Sequence, residues 1–194
     1  MSRLFVLVFV VSGLVGCGVN NLPTYDEQVS SAWSQVENQY QRRADLIPNL
    51  VATVKGFAAQ EKELLTEVTR LRASVGQVKV DGNLIDNPEM LQRFEAGQAR
   101  LGSALSRLMV VAERYPDLKS NQNFMALQSQ LEGTENRISV ARRDYILAMQ
   151  QYNTELRTYP GKLWHGWLYP ELKPRQDYYK ATAEQADQPP SVEF

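Results

Sequence analysis

Residues 33–61, WSQVENQYQRRADLIPNLVATVKGFAAQE, combine an apolar stripe at helical spacing with a dense group of polar side chains. Apolar residues recur here and just beyond at steps of three, four or seven, which places them on one face of a helix. Pro48 lies in the middle, where it removes a backbone donor and crowds the carbonyl of Ala44. We therefore predict either one bent helix over residues 25–75 or two shorter helices divided at Pro48. The stripe consists of Val29, Trp33, Val36, Tyr40, Ala44, Ile47, Val51, Val54, Ala58, Leu65, Val68 and Leu71.

A second helix is predicted to begin at Pro88, with Asn87 as its cap, and to end near Arg114. Before it, residues 76–88 carry turn signals around Asp81-Gly82 that fit either a small hairpin or a disordered excursion. The helix has a heptad-like seam in which Gln98 fills one step. The apolar members of the seam are Leu91, Phe94, Leu101, Leu105, Leu108, Ala112 and Tyr115.

A third helix follows, capped by Ser120 or Asn121, and its apolar steps of three and four continue almost to Pro160. The connections between the predicted helices are short, so consecutive helices must run antiparallel. The fold class is therefore all-α: an up-and-down bundle of three long helices, the first kinked at Pro48 to give four segments. We assign residues 27–168 to the bundle and residues 169–194 to an extended or partly disordered tail.

The segment 161–169, GKLWHGWLY, crowds two tryptophans together with leucine and tyrosine. Such a cluster either closes the open end of the bundle or touches the interface of a bilayer, where Trp and Tyr are enriched. His165 lies inside this cluster, and we interpret it as a partly buried member rather than as a catalytic or metal-binding residue.

The first sixteen residues have one positive charge and a short apolar run, which is typical of a signal peptide and too short for a membrane span. They end in Leu14-Val15-Gly16-Cys17, which resembles the lipobox of bacterial lipoproteins and makes Cys17 the expected site of diacylglycerol attachment. The alternative is an uncleaved anchor with an incidental cysteine. Residues 17–26 would then form a tether. If the host has two membranes, the absence of Asp at position 18 resembles the pattern of outer-membrane lipoproteins.

The composition excludes several classes of function. A net charge of −1 provides no basic patch for nucleic acid. With one cysteine and one histidine, neither an intramolecular disulfide nor a metal site of several His or Cys ligands is available. No motif for nucleophilic catalysis is present, and the paired carboxylates Glu132 and Glu135 belong to an ordinary charged face. We therefore expect no catalytic residue, no metal, no cofactor and no small-molecule substrate.

Two polar groups remain as candidate sites, each near the middle of a predicted helix. They are either a docking or anion-binding patch, with arginine forks for carboxylate or phosphate, or a structural network that fixes helix register. The first group is Arg42, Arg43, Asp45 and Asn49, and the second is Asn136, Arg137, Arg142, Arg143 and Asp144.

Three segments resemble signatures of the LemA family of bacterial envelope proteins: QYQRRADLIPNLVATVKGF from Gln39 to Phe57, YPDLKSNQNFMALQSQLEGTENRISVARRDY from Tyr115 to Tyr145, and YNTELRTYP from Tyr152 to Pro160. The resemblance extends from about residue 25 to the C-terminus. It implies an up-and-down helical bundle at a membrane surface with no established enzymatic activity. It also implies a class of partner, membrane proteases, and in some bacteria an association with specialised membrane compartments.

These observations together predict a membrane-anchored lipoprotein that faces the periplasm or the cell exterior. We expect it to act as a non-enzymatic scaffold or adaptor for another envelope protein. One alternative is a membrane-shaping or lipid-binding scaffold, although the alternating charges of the helices do not provide the cationic face that it needs. Another is a cell-wall enzyme, for which no credible pair of carboxylates is present.

Overall fold

A computed structural model describes residues 18–80 and 84–175, and every regular element within them is helical. The predicted all-α class is therefore confirmed. The signal peptide, Cys17 and residues 176–194 lie outside the described residues. The helices are α1 (Asn21–Phe57), α2 (Lys62–Val80), α3 (Pro88–Ala112), α4 (Pro116–Lys119), α5 (Gln122–Arg157) and α6 (Gly161–Trp167), with a 3-10 turn at Leu84–Asp86.

The chain divides into two compact units. Gln35–Arg142 form a four-helix unit, to which α1 and α5 each contribute part of their length beside α2 and α3. Met1–Ser34 and Arg143–Phe194 form a terminal unit, of which the structure describes residues 18–34 and 143–175.

Two ion pairs show the relative direction of α2 and α3 in the four-helix unit. Glu67 accepts from Arg107 at 2.6 Å, and Glu61 accepts from Arg114 at 3.0 Å. Residue numbers thus rise along one helix as they fall along the other, so the two helices are antiparallel. The predicted up-and-down order is confirmed for this pair.

Helices α1 and α3 run parallel, as the first and third members of an up-and-down bundle must. The ring of Tyr40 packs edge-on against Phe94 with centroids 5.3 Å apart, and one turn further along Arg43 reaches Gln98. Residue numbers rise together on the two helices.

The division predicted at Pro48 is wrong, because α1 continues through this residue to Phe57 and the chain turns at residues 58–61 instead. Proline leaves the carbonyl of Ala44 without its helical donor. In the structure that carbonyl accepts a hydrogen bond of 2.8 Å from Nε of Arg72, on the antiparallel neighbour α2. A side chain of the next helix therefore replaces the lost backbone donor, and the helix persists. The bundle still has four segments, with the boundary about ten residues later than predicted.

Other element boundaries agree with the sequence in part. The side chain of Asn87 accepts from the amides of Glu89 and Met90, and that of Asn121 accepts from Phe124, so both predicted caps are confirmed. Residues 78–80 and 84–86 are helical, so the hairpin, one of the two alternatives for this segment, is wrong; residues 81–83 lie outside the described residues. The helix passes through Gly76, beyond the predicted end at residue 75, because glycine lowers helix stability without forbidding helical geometry.

Polar contacts of the terminal unit tie its segments together. The amide of Asn21 donates to Glu155 at 3.2 Å, and the rings of Trp33 and Tyr145 lie 5.3 Å apart. Beyond α6, the chain at residues 172–175 is not helical and returns along α5. Asn153 both donates to the carbonyl of Arg175 at 2.6 Å and accepts from its amide at 2.9 Å.

The guanidinium of Arg175 joins the C-terminal segment of this unit to α1 and α5. It donates to Asp26 from Nη2 at 2.9 Å and from Nε at 3.2 Å, and it lies 5.9 Å from the ring centroid of Tyr152. The hydroxyl of Tyr152 donates to the carbonyl of Lys173 at 3.1 Å. The first seven residues of the predicted tail are therefore held against the helices.

We predict that Arg72→Met lowers the free energy of unfolding by about 1–2 kcal/mol, because the Ala44 carbonyl loses its donor. In a Pro48→Ala background the same change should cost about 1 kcal/mol less, since an alanine amide can donate to that carbonyl. Urea denaturation of the four variants of this cycle measures the coupling. Arg70→Met, at an exposed position on the same helix, is the matched control. Additive effects of the two changes would contradict the substitution of one donor for the other.

Candidate functional site

An arginine occupies a core position of α1. The buried residues Val36, Tyr40, Arg43, Ile47 and Leu50 follow alternating steps of four and three, which is the spacing of a helix seam. Arg43 is only 5% exposed. Ala44 and Val51, which the sequence placed in the stripe, are half-buried beside it. The seam thus carries a charged side chain where the apolar pattern predicted alanine.

Within the described residues, three buried side chains are polar: Arg43, Gln98 and Thr134. Each belongs to the seam of a different helix. The hydroxyl of Thr134 donates to the carbonyl of Leu131 in its own helix at 2.7 Å, so it needs no partner elsewhere. Gln98 and Arg43 satisfy one another across α1 and α3.

The guanidinium of Arg43 contacts two neighbouring helices. Nη1 donates to Oε2 of Glu135 on α5 at 2.8 Å, while Nη2 donates to the backbone carbonyl of Gln98 at 3.3 Å and also to its Oε1. The guanidinium carbon lies 5.2 Å from the ring centroid of Tyr40, within the range of a cation–π contact. Nε makes no hydrogen bond to the described residues. This arrangement, which we call the Arg43 layer, joins α1 to α3 and α5.

Charged groups of both signs surround Tyr40 in the layer. The side chain of Glu135 is 61% exposed and that of Arg43 only 6% exposed, so the carboxylate of the ion pair is in solvent while the guanidinium is buried. Burial raises the pKa of Tyr40, and the carboxylates of Glu95 and Glu135 act in the same direction, whereas the cations Arg142 and Arg43 act against them. Tyr40 therefore stays neutral as an apolar wall of the layer.

The other members of the first predicted group face away from the layer. Arg42, Asp45 and Asn49 are exposed. At 100° per residue they fall within about 60° of one another and at least about 100° from Arg43. Asp45 accepts a hydrogen bond of 2.8 Å from Gln41, one turn earlier, rather than from Arg42 or Asn49 within this part of the chain. We call Arg42, Asp45 and Asn49 the outer face of α1.

The second predicted group divides in the same way. Arg142 is half-buried and acts on Tyr40, so it belongs near the layer. The other four, Asn136, Arg137, Arg143 and Asp144, are exposed, and Arg143 pairs with its neighbour Asp144 at 3.2 Å. The structure thus brings together Arg43 and Arg142 around Tyr40, but it does not join the two groups as a whole.

Sequence reasoning missed both partners of Arg43. Gln98 carried a usable signal, because a buried glutamine in an apolar seam needs a hydrogen-bond partner. Arg43 carried a second signal. The spacing of Val36, Tyr40 and Ile47 is continued by Arg43 as regularly as by Ala44, so the sequence alone allowed either residue in the seam. Nothing local marks Glu135 as the counterion, since it is 92 residues away.

The remaining possibilities are a role for His165, a metal site and a membrane span. His165 is half-buried, and its Nε2 lies 2.7 Å from the carbonyl oxygen of Leu172. Across residues 18–80 and 84–175, no group of three His, Cys, Asp or Glu side chains is placed to hold a metal ion. No helix in these ranges is both long enough and apolar enough to cross a bilayer.

The fold and the Arg43 layer define an all-helical protein in which a buried guanidinium joins three helices of a bundle. The sequence model of the LemA family matches residues 32–194, a range that includes the layer and its outer face. The chain belongs to the LemA family.

Several curated relatives extend this finding. Magnetosome proteins MamQ 1 and MamQ 2 of Paramagnetospirillum magneticum are each 28% identical to this chain over 176 residues, which cover 82% of this chain and 64% of theirs. Protein LemA of Metamycoplasma hominis is 22% identical over 140 residues, 72% of this chain and 60% of its own. The chain thus spans less than two thirds of the length of these relatives.

We predict that Arg43→Met lowers the free energy of unfolding by about 2–3 kcal/mol, because it strands Gln98 and removes the counterion of Glu135. Because Glu135 is solvent-exposed, the loss in the free energy of unfolding stays below that of a fully buried pair. Arg42→Met, one residue earlier, should change it by less than about 0.5 kcal/mol. Urea denaturation measures both. Equal losses for the two variants would show that the layer does not stabilise the fold.

The raised pKa of Tyr40 predicts a stability that depends on pH at the alkaline end. The unfolded chain loses the phenol proton near its ordinary pKa of about 10, before the folded chain does. The contribution is therefore complete below that pH and is lost as the pH rises through the folded pKa. Unfolding free energies at pH 8 to 11 should fall more steeply for the wild type than for Tyr40→Phe. Parallel curves would contradict the assignment.

Proposed function

We propose that this protein is a lipid-anchored, non-enzymatic adaptor of the cell envelope, which binds another protein through the outer face of α1. The observation that carries the proposal is the difference in burial between two adjacent arginines. Arg43 is buried and its cation is used inside the fold, whereas Arg42 is exposed with Asp45 and Asn49 beside it.

The outer face has the chemistry of a polar docking surface. Arg42 offers a planar fork that suits a carboxylate, Asp45 offers a carboxylate, and Asn49 offers an amide that both donates and accepts. These groups project from a helix that the Arg43 layer holds from another side, so their positions are set before a partner arrives. Such preorganisation reduces the entropic cost of binding.

The anchor is the second part of the proposal. Cys17, in the lipobox-like sequence Leu14-Val15-Gly16-Cys17, precedes the described chain directly. Each buried methylene of an acyl chain contributes about 0.8 kcal/mol, so two or three chains hold a protein at a membrane stably. The names of the relatives support a role at a membrane, since two of them are called magnetosome proteins. We place the protein on the outer side of the cytoplasmic membrane or in the periplasm.

The docking claim is tested with a photo-crosslinking amino acid at position 49 in the native membrane. We expect one discrete protein adduct, which Arg42→Met weakens without a change in thermal stability. The matched control is the same crosslinker at position 70, an exposed site on α2. No adduct from position 49, or the same adduct from both positions, would overturn the docking surface.

The anchor is tested separately with Cys17→Ser, which should abolish incorporation of labelled fatty acid and leave the leader attached. Unchanged mass and unchanged labelling would contradict the lipoprotein assignment.

A further inference from the structure

Helix α6 turns its large apolar side chains outward. Leu163 and Trp167 are four residues apart in α6 and share one side of it, while Tyr159 lies in the turn before the helix and Leu168 follows Trp167 directly. Their exposed fractions are 71%, 52%, 84% and 52%. We call these four residues the terminal patch. So much apolar surface concentrated in ten residues differs from the single exposed apolar side chains that are normal on soluble proteins.

The exposure does not come from a loosely held helix. Gly161 is buried, and a Cβ at this position would overlap the carbonyl oxygen of Glu155, so α6 approaches α5 as closely as only glycine permits. On the inward side Trp164 and His165 are half-buried, and His165 contacts the carbonyl of Leu172. The helix is thus fixed by one side, and the terminal patch is what remains outside.

The terminal patch begins beside the residue that follows the proposed anchor. A Cβ built on Gly18 would lie 3.3 Å from Cγ of Pro160, the residue that precedes α6. A seven-residue helix is only about 10 Å long, so every residue of α6 is within about that distance of Pro160. Gly18 directly follows Cys17 in the chain. The acyl chains proposed on Cys17 therefore attach beside the terminal patch.

We propose that the terminal patch inserts into the interfacial region of the lipid bilayer and orients the protein on the membrane. This inference rests on the proposed lipid anchor. Trp and Tyr favour the level of the headgroups, where the ring is in an apolar setting and its polar edge stays wet. Lys162, whose ammonium lies 6.0 Å from the ring centroid of Tyr159, can reach the phosphates while its stem stays at the interface.

A bilayer is a better occupant than a partner protein because of the geometry of the anchor. Acyl chains attached one residue before Gly18 would hold Gly18 and its neighbours at the membrane surface. The terminal patch, which begins beside Pro160 and extends about 10 Å along α6, then meets lipid at a high effective concentration. The exposed aromatic side chains and Gly18 belong to the same terminal unit.

The test uses the full lipidated protein in phosphatidylcholine vesicles, with tryptophan fluorescence quenched by lipids brominated near the headgroup. The chain has three tryptophans, of which Trp33 is buried and Trp164 half-buried. We expect strong quenching of one component, which Trp167→Phe removes while the emission of the other two remains. If the protein co-floats with the bromolipid vesicles but the fluorescence of Trp167 is not quenched, the proposal is overturned. So would protection of Trp167 from iodide without bromolipid quenching, because a protein would then cover the patch.

A second variant tests the whole patch. Leu163→Ser combined with Leu168→Ser should weaken insertion about tenfold or more and reduce the quenching of Trp167 accordingly. Val110→Ser, at an exposed apolar residue of α3, is the control and should leave quenching unchanged. Equal quenching in the double variant and the wild type would contradict insertion of the patch.

Labelling with fatty acid separates the two proposals. A labelled protein that floats with vesicles but shows no quenching retains its anchor and refutes insertion. An unlabelled protein whose Trp167 is still quenched refutes the anchor and supports insertion.

Discussion

The four-helix unit depends on one buried cation. A guanidinium in a helix seam must find acceptors when the chain folds, because an unpaired buried charge costs far more than an unmade neutral hydrogen bond. Gln98 and Glu135 supply those acceptors from two other helices. Sliding either helix by one turn would remove them. The Arg43 layer therefore selects one alignment of α1, α3 and α5, a specificity that an entirely apolar seam would not provide.

The same logic explains how α1 tolerates Pro48. A proline in a helix interior exposes a carbonyl, and the cost depends on whether another donor reaches it. Arg72 does so from α2. The two arginines thus perform comparable tasks, since each crosses from one helix to a backbone carbonyl of a neighbour. Both contacts tie the middle of α1 to the helices around it.

Much of the fold was predictable because helix periodicity, proline positions and asparagine caps act locally. The helical class, the antiparallel order and the caps at Asn87 and Asn121 follow from a few neighbouring residues each. The break after Phe57 was not predictable, since whether Pro48 divides the helix is decided by Arg72, 24 residues away. The candidate site was predictable only in part. Sequence selected Arg43 and Arg142, but the partners that separate a buried arginine from an exposed one come from distant helices.

A double-mutant cycle on Arg43 and Gln98 tests the central claim most directly. If the Arg43 layer is a mutual pair, Arg43→Met and Gln98→Leu should together cost about 1–2 kcal/mol less than the sum of the two single changes, since the double variant leaves neither group stranded. The free energies of unfolding come from urea denaturation of the four proteins. Single changes that add within about 0.5 kcal/mol would show that the two side chains do not depend on each other, and the account of the layer would be wrong.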